Sequence, residues 1–219
     1  MKNPKEEKGI FYTLGEEIFN SVSHGVGVLL SVAALTLLIV FAAWKSDGYG
    51  MASALVYGIS LIILYSMSMV YHIVQSPKAK HVLRIFDHCS IFILIAGTYT
   101  PYLLMCMRNA LGWTMFGLIW GMTVIGILLN AIGLERFSKV SLVCYVLMGW
   151  GIVFTIRPIA QQVGTQGTAL LVAGGIVYTL GIIFYVLKKY RYMHSVWHLF
   201  VLGGSVCHYL SILCYVLPR

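Results

Sequence analysis

Residues His24–Trp44 read HGVGVLLSVAALTLLIVFAAW, 21 consecutive positions without Asp, Glu, Lys or Arg. Coiled as a helix at about 1.5 Å per residue, this stretch is about 30 Å long, the thickness of a bilayer's hydrocarbon core. Six further predominantly apolar runs follow, at Met51–Val74, Ile85–Met107, Gly112–Ile132, Val140–Ile156, Ala169–Leu187 and Val196–Leu217. Only 10% of the 219 residues are charged and 59% are hydrophobic, with a mean hydropathy of +0.86. A soluble domain carries about 25% charged residues. The connections are short, so no segment is left to fold as a separate aqueous domain. The expected fold is all-α: one polytopic domain over residues 1–219 with seven transmembrane helices, of which 1–23 form a cytoplasmic lead-in.

Basic residues set the expected orientation. With a cytoplasmic N-terminus and alternating spans, Lys2, Lys5, Lys8, Lys78, Lys80, Arg84, Arg136, Lys139, Lys188, Lys189 and Arg191 lie inside. Only Lys45, Arg108, Arg157 and Arg219 lie outside. This positive-inside bias predicts a multi-pass protein of the cell membrane, N-terminus in and C-terminus out. It also accounts for the net charge of +8. Nucleic-acid binding is a poor fit, because these cations are scattered over short loops instead of massed on one face. Lys2, Lys5 and Lys8 ahead of an apolar run resemble a signal peptide. The run is too long for a signal core and no small-x-small cleavage site follows it, so it reads as a retained first span. Five cysteines, Cys89, Cys106, Cys144, Cys207 and Cys214, fall inside predicted spans without a Cys-x-x-Cys and read as small buried thiols.

Turn signals mark each reversal, from Lys45–Gly50 and Ser76-Pro77 to Lys188–Met193. Pro101 lies inside the third span and predicts a kink there. Gly117-x-x-x-Gly121, Gly174-Gly175 and Gly203-Gly204 predict close helix–helix approach.

The polar residues inside the spans converge. His194 and His198 are four apart at the start of span seven, one turn from each other on one helix face. That spacing suits either two ligands of one metal ion or an interfacial polar anchor. His72 lies near the cytoplasmic end of span two, and Asp87 lies just inside span three, on the other arm of the same hairpin. The inferred topology brings all four to one depth, and that convergence favours the metal. Three neutral imidazoles with an open fourth position describe a catalytic-type zinc site. Asp87 is placed either to bind the metal or to hold and activate a metal-bound water. Ser68, one turn before His72, is placed to hydrogen-bond an imidazole or a substrate oxygen. Glu17, Asn20 and His24 share a face at the entry to span one, where they either cap and solvate the helix start or support the ligands from behind. His208 reads as a satisfied core residue, His81 as a solvated one, and His88 points away from Asp87 around the helix.

At this point the residues carry a resemblance. Glu17-x-x-Asn20-x-x-x-His24, Ser68-x-x-x-His72, Asp87 and His194-x-x-x-His198 resemble the motifs of the progestin and adipoQ receptor superfamily. Ala96-Gly-Thr-Tyr-Thr-Pro101, Gly112-Trp-Thr, Met148-Gly-Trp150 and Trp197–Gly204 bring the likeness closer to its bacterial branch, the hemolysin III family, over nearly the whole chain. The resemblance implies seven spans and a zinc ion near the cytoplasmic face, with His72, His194 and His198 as ligands. It also implies that Asp87 holds the zinc-bound water and that Ser68 lies just outside the ligands. The superfamily is similar to alkaline ceramidases, which implies metal-assisted hydrolysis of a lipid amide or ester. The family name implies haemolysis by some bacterial members.

Three classes of function follow as expectations. The first is a zinc-dependent intramembrane hydrolase with membrane lipids as partners and a lipid as substrate. The second is a non-enzymatic cytolysin, or a regulator of membrane state in which zinc is structural. The third, a receptor or transporter, has the least support: no long cytosolic segment is present to couple a signal, and no line of charged groups crosses the spans.

Overall fold

A computed structural model describes residues 12–187 and 189–218. The first eleven residues of the expected lead-in, with Lys2, Lys5 and Lys8, lie outside these residues, as do Lys188 and Arg219. The described residues are helical throughout, without a strand: α1 (Leu14–Lys45), α2 (Gly48–Ile73), α3 (Pro77–Cys106), α4 (Ala110–Trp150), a 3-10 turn (Gly151–Thr155), α5 (Ile156–Val186), α6 (Met193–Ser211) and a closing π turn (Ile212–Val216).

Among the described residues five helical runs, not seven, are long and apolar enough to cross a membrane. The difference lies in Ala110–Val186, a 77-residue helical run that holds three of the expected spans. Its backbone leaves helical geometry at Gly133 (φ −176°, ψ 77°) and at Gly164 (φ 71°, ψ −179°). Side chains show what these breaks do. Ser141 Oγ donates to Asn130 Oδ1 at 2.6 Å, whereas eleven residues of straight helix would hold them about 16 Å apart. Trp150 Nε1 likewise donates to Thr179 Oγ1 at 3.0 Å across 29 residues. The chain therefore folds back at both places. The φ of Gly164 lies where only glycine is comfortable.

α1 starts ten residues earlier than the expected span, so Leu14–Ser23 belong to the helix itself. Thr13 and Glu16 close a capping box there. α1 packs on α2, α2 on α3, α3 on α4 and α5 on α6, and α6 returns against α1. Alternation puts the starts of α1, α3 and α6 and the end of α2 at one pole. At the opposite pole Arg108 Nη1 donates to Asp47 Oδ2 at 2.6 Å, tying the α1–α2 and α3–α4 turns together. The outer surface is apolar, with Leu29, Ile132 and Phe154 among its most exposed side chains, as a lipid-facing surface must be.

Pro101 lies inside α3, which is helical from Pro77 to Cys106. Contrary to the expected close approach, Gly117 and Gly121 have no other described residue against them, whereas Gly174 lies against His208 and Gly204 against Tyr178. The five cysteines are free thiols, but only Cys89 is buried and Cys214 is exposed.

A candidate metal centre

α1 presents Glu17, Asn20 and His24 on its buried face. Glu17 and Asn20 are 3% and 0% exposed, so they do not solvate a helix start; Thr13 and Glu16 do the capping. Glu16 Oε1 also accepts from the Tyr192 backbone N–H at 2.7 Å, which fastens the start of α6 to the start of α1. Tyr192 is left-handed there (φ 62°), an unusual conformation for a side chain of its size. One turn on, Ser195 Oγ donates to Asn20 Oδ1 at 2.6 Å.

This clasp delivers His194 and His198 to the last turn of α2. The ligand nitrogens of His72, His194 and His198 all lie within 4.8 Å of one another, and all three side chains are buried. His194 Nε2 and His198 Nε2 are 3.2 Å apart, close to the edge of a tetrahedron of nitrogens about 2.0 Å from a zinc ion. His72 Nδ1 donates to Glu17 Oε2 at 2.6 Å, leaving Nε2 as a lone-pair acceptor. That atom is buried and has no hydrogen-bond partner among the described residues. A buried acceptor without a donor is costly, and a cation among the three rings removes the cost. A carboxylate behind a ligand imidazole is the usual support of a metal site. The residues present fit a metal ion.

Support extends further back. His24 stacks on His198 with ring centroids 3.6 Å apart and 13° between planes, and Tyr65 meets His24 edge-on at 5.1 Å. Ser23 Oγ is 3.4 Å from His198 Nδ1. Two contributors escaped the sequence reading. Lys80, expected in a cytoplasmic loop, is 3% exposed in the first turn of α3, and its Nζ is 2.6 Å from Glu17 Oε1. A cation in a helix's first turn opposes the dipole, and that was the available signal. Tyr12 stacks on His194 at 4.8 Å and lies 5.7 Å from the His72 ring; a single aromatic before a helix carries no such signal.

Asp87 and Ser68 line a cavity of about 200 Å³ that also reaches His24, His194 and His198. Asp87 is half-buried, with Oδ2 3.5 Å from His88 Nδ1. His88, set aside in the sequence reading, lines the cavity too. The remaining walls are mostly apolar and reach Trp150, Val153 and Val172, all exposed at the lipid-facing surface. The cavity thus joins a polar head to an apolar flank.

The sequence profile of the family described as "Haemolysin-III related" matches residues 12–209, which hold every residue named in this centre. The chain belongs to that family. Hemolysin-3 of Bacillus cereus is 42% identical over 203 residues, 93% of each chain. The Hemolysin-3 homolog of Bacillus subtilis (strain 168) is 40% identical over 204 residues, 93% of this chain and 96% of its own. The human monocyte to macrophage differentiation factor is 27% identical over 210 residues, 93% of this chain and 86% of its own. This haemolysin III chain is accordingly a multi-pass membrane protein of the bacterial branch of the progestin and adipoQ receptor superfamily.

Proposed function

We propose that this haemolysin III protein is a zinc-dependent hydrolase of the cell membrane acting on a lipid amide or ester. One observation carries the reading: three buried imidazoles, one with an orphaned Nε2, adjoin a cavity that holds Asp87 at its head and apolar walls beyond. His72, His194 and His198 hold the metal, with Glu17, Asn20 and His24 fixing them from behind. Zinc, when bound, supplies Lewis acidity toward a carbonyl oxygen. Asp87 takes the proton of the attacking water as general base, and Ser68 hydrogen-bonds the polar linkage. The apolar walls keep the chain of the lipid in register and exclude bulk water.

Seven spans complete the proposal, N-terminus inside and C-terminus outside. Support comes from the fold-backs at Gly133 and Gly164, since a straight 77-residue helix would be about 115 Å long. Reporter fusions in each connection test it: seven alternations are expected, and five would refute it.

Zinc-loaded protein should hydrolyse at least one member of a membrane-lipid amide and ester panel, and Asp87→Asn should slow it by about 100-fold or more. No turnover from zinc-loaded protein would remove the hydrolase. Stoichiometric zinc retained by the His194→Ala/His198→Ala double variant would remove the site. The names of the Bacillus relatives favour a second reading, lysis of membranes. Dye leakage from liposomes at wild-type rate with His72→Ala, His194→Ala and His198→Ala would favour lysis independent of the metal.

A further inference from the structure

The turn between α5 and α6 carries Lys189-Tyr190-Arg191-Tyr192, exposed residues in which cations and tyrosines alternate. Ile183 and Val186, at the end of α5, are exposed apolar side chains, so the hydrocarbon ends there and the turn beyond lies at headgroup level. Both tyrosines suit that depth, with an apolar ring and a polar tip. Lys189 Nζ is 5.0 Å from the Tyr190 ring centroid, and the Arg191 guanidinium is 5.3 Å from that of Tyr192. Lys80, Arg84 and Arg108 have carboxylate partners, whereas Lys189 and Arg191 are in no ion pair among the described residues.

The backbone beneath these side chains is held in one shape. The Tyr190 N–H donates to the Leu187 carbonyl at 2.9 Å, and the Val196 N–H to the Tyr192 carbonyl at 3.0 Å. Tyr192 itself is left-handed and clasped through its N–H to Glu16. A ligand meeting this turn therefore loses little affinity to ordering its backbone. The same pole is cationic beyond the turn. Arg84 Nη1 reaches Glu135 Oε1 at 3.4 Å, which places the Gly133 fold-back beside the start of α3. Lys78, Arg136 and Lys139 are exposed there, and Glu135 is the one exposed acid of this pole among the described residues. Such a surface at headgroup depth complements an anionic leaflet.

We propose that the Lys189–Tyr192 turn docks the headgroup of an anionic phospholipid, and that the docked lipid holds the start of α6 in its clasped position. Lys189 and Arg191 pair with the headgroup phosphate, and the two tyrosine rings rest against the lipid below it. His194 is two residues beyond Tyr192. A lipid that prefers the clasped turn therefore also favours the assembled triad, and the coupling is reciprocal. The docking needs no turnover and stands apart from the lipid-hydrolase reading; its effect on His194 rests on the proposed metal site.

The full chain is placed in nanodiscs of mixed phosphatidylglycerol and phosphatidylcholine, and native mass spectrometry reads the lipids it retains. Wild type should retain phosphatidylglycerol over phosphatidylcholine by about tenfold, the effect of two basic residues at the membrane surface. Lys189→Gln/Arg191→Gln should bring the ratio to within about twofold of unity. Arg136→Gln/Lys139→Gln removes the same charge from the Gly133 fold-back at the same pole and should keep most of the preference. Equal retention of the two lipids by wild type, or equal losses in the two double variants, overturns the docking site. Should the turn variant fail to fold, Lys189→Gln and Arg191→Gln singly carry the same comparison. Competition against a zinc chelator gives the second readout. Wild type should hold zinc about fivefold tighter in phosphatidylglycerol than in phosphatidylcholine nanodiscs, and the turn variant should show no difference. A zinc affinity indifferent to the lipid overturns the link to His194. Should the protein take up no zinc, the metal reading and that link fall together, and the lipid ratio still decides the docking.

Discussion

Replacing Glu17 by Gln separates what the buried ion pair does for stability from what it does for the proposed metal site. Glu17 reaches two partners at once, His72 Nδ1 through Oε2 and Lys80 Nζ through Oε1, each at 2.6 Å. Glu17 and Lys80 side chains are only 3% and 4% exposed, so water is poorly placed to compensate either. Removing one charge of such a pair strands the other, at a cost of about 3–5 kcal/mol. At about 2–4 °C per kcal/mol for a chain of this size, Glu17→Gln should lower the melting temperature by about 10 °C. Removing the carboxylate behind a ligand imidazole should also weaken metal binding by about 10–100-fold. Lys80→Met strands the carboxylate instead and should destabilise by a similar amount, while His72 keeps its partner. The double variant Glu17→Gln/Lys80→Met leaves no stranded charge. Its melting temperature should recover most of the loss, and its zinc affinity should remain as weak as in Glu17→Gln. Scanning fluorimetry in detergent and competition against a zinc chelator read the two quantities separately. Additive melting-temperature losses in the double variant would refute the pairing, and an unchanged zinc affinity in Glu17→Gln would refute the support of His72.

Tyr12→Ala should speed loss of zinc to an external chelator by about two- to tenfold, the worth of an aromatic stack of about 0.5–1.5 kcal/mol; an unchanged rate would show that Tyr12 does not cover the site. Gly164→Ala, at φ 71° and ψ −179°, should destabilise by about 1–3 kcal/mol, read by thermal unfolding in detergent. Gly174→Val should cost about 1–3 kcal/mol through overlap with the His208 ring, and a neutral result would show that the ring is free to leave. The Arg108 guanidinium hydrogen-bonds Asp47 and holds its carboxyl below its ordinary value. A depressed acid contributes stability above its unfolded-state pKa and loses it as pH falls through the folded one. Asp47→Asn retains the cap and should melt below wild type at neutral pH, with the difference closing in acid; a gap that persists in acid would assign it to the cap instead.

The apolar runs were legible because a span is written in consecutive residues. The breaks inside Ala110–Val186 were visible as turn signals, yet the chain stays helical almost to the reversals, so its helical count is lower than its count of apolar runs. The triad was legible for another reason: alternation brings His72 to the end where α6 begins, and four-residue spacing does the rest. Lys80 was misread because a lysine after Ser76-Pro77 looks solvated, and its partner Glu17 is 63 positions away. Tyr12 was invisible, since its role depends on how the chain enters α1. Gly117 and Gly121 show the opposite failure, a packing pattern facing no neighbour among the described residues.

The clasp between Glu16 and Tyr192 joins the first helix to the last one. During synthesis His72, Glu17 and Lys80 enter the membrane long before His194 exists, so for more than half the chain's elongation that trio faces lipid or translocation machinery unaccompanied. Completion of the triad is then a report that α6 has arrived and closed the ring. On the proposed metal reading, a chain stalled before Met193 has no triad to load, so metal occupancy would distinguish finished molecules from abandoned ones.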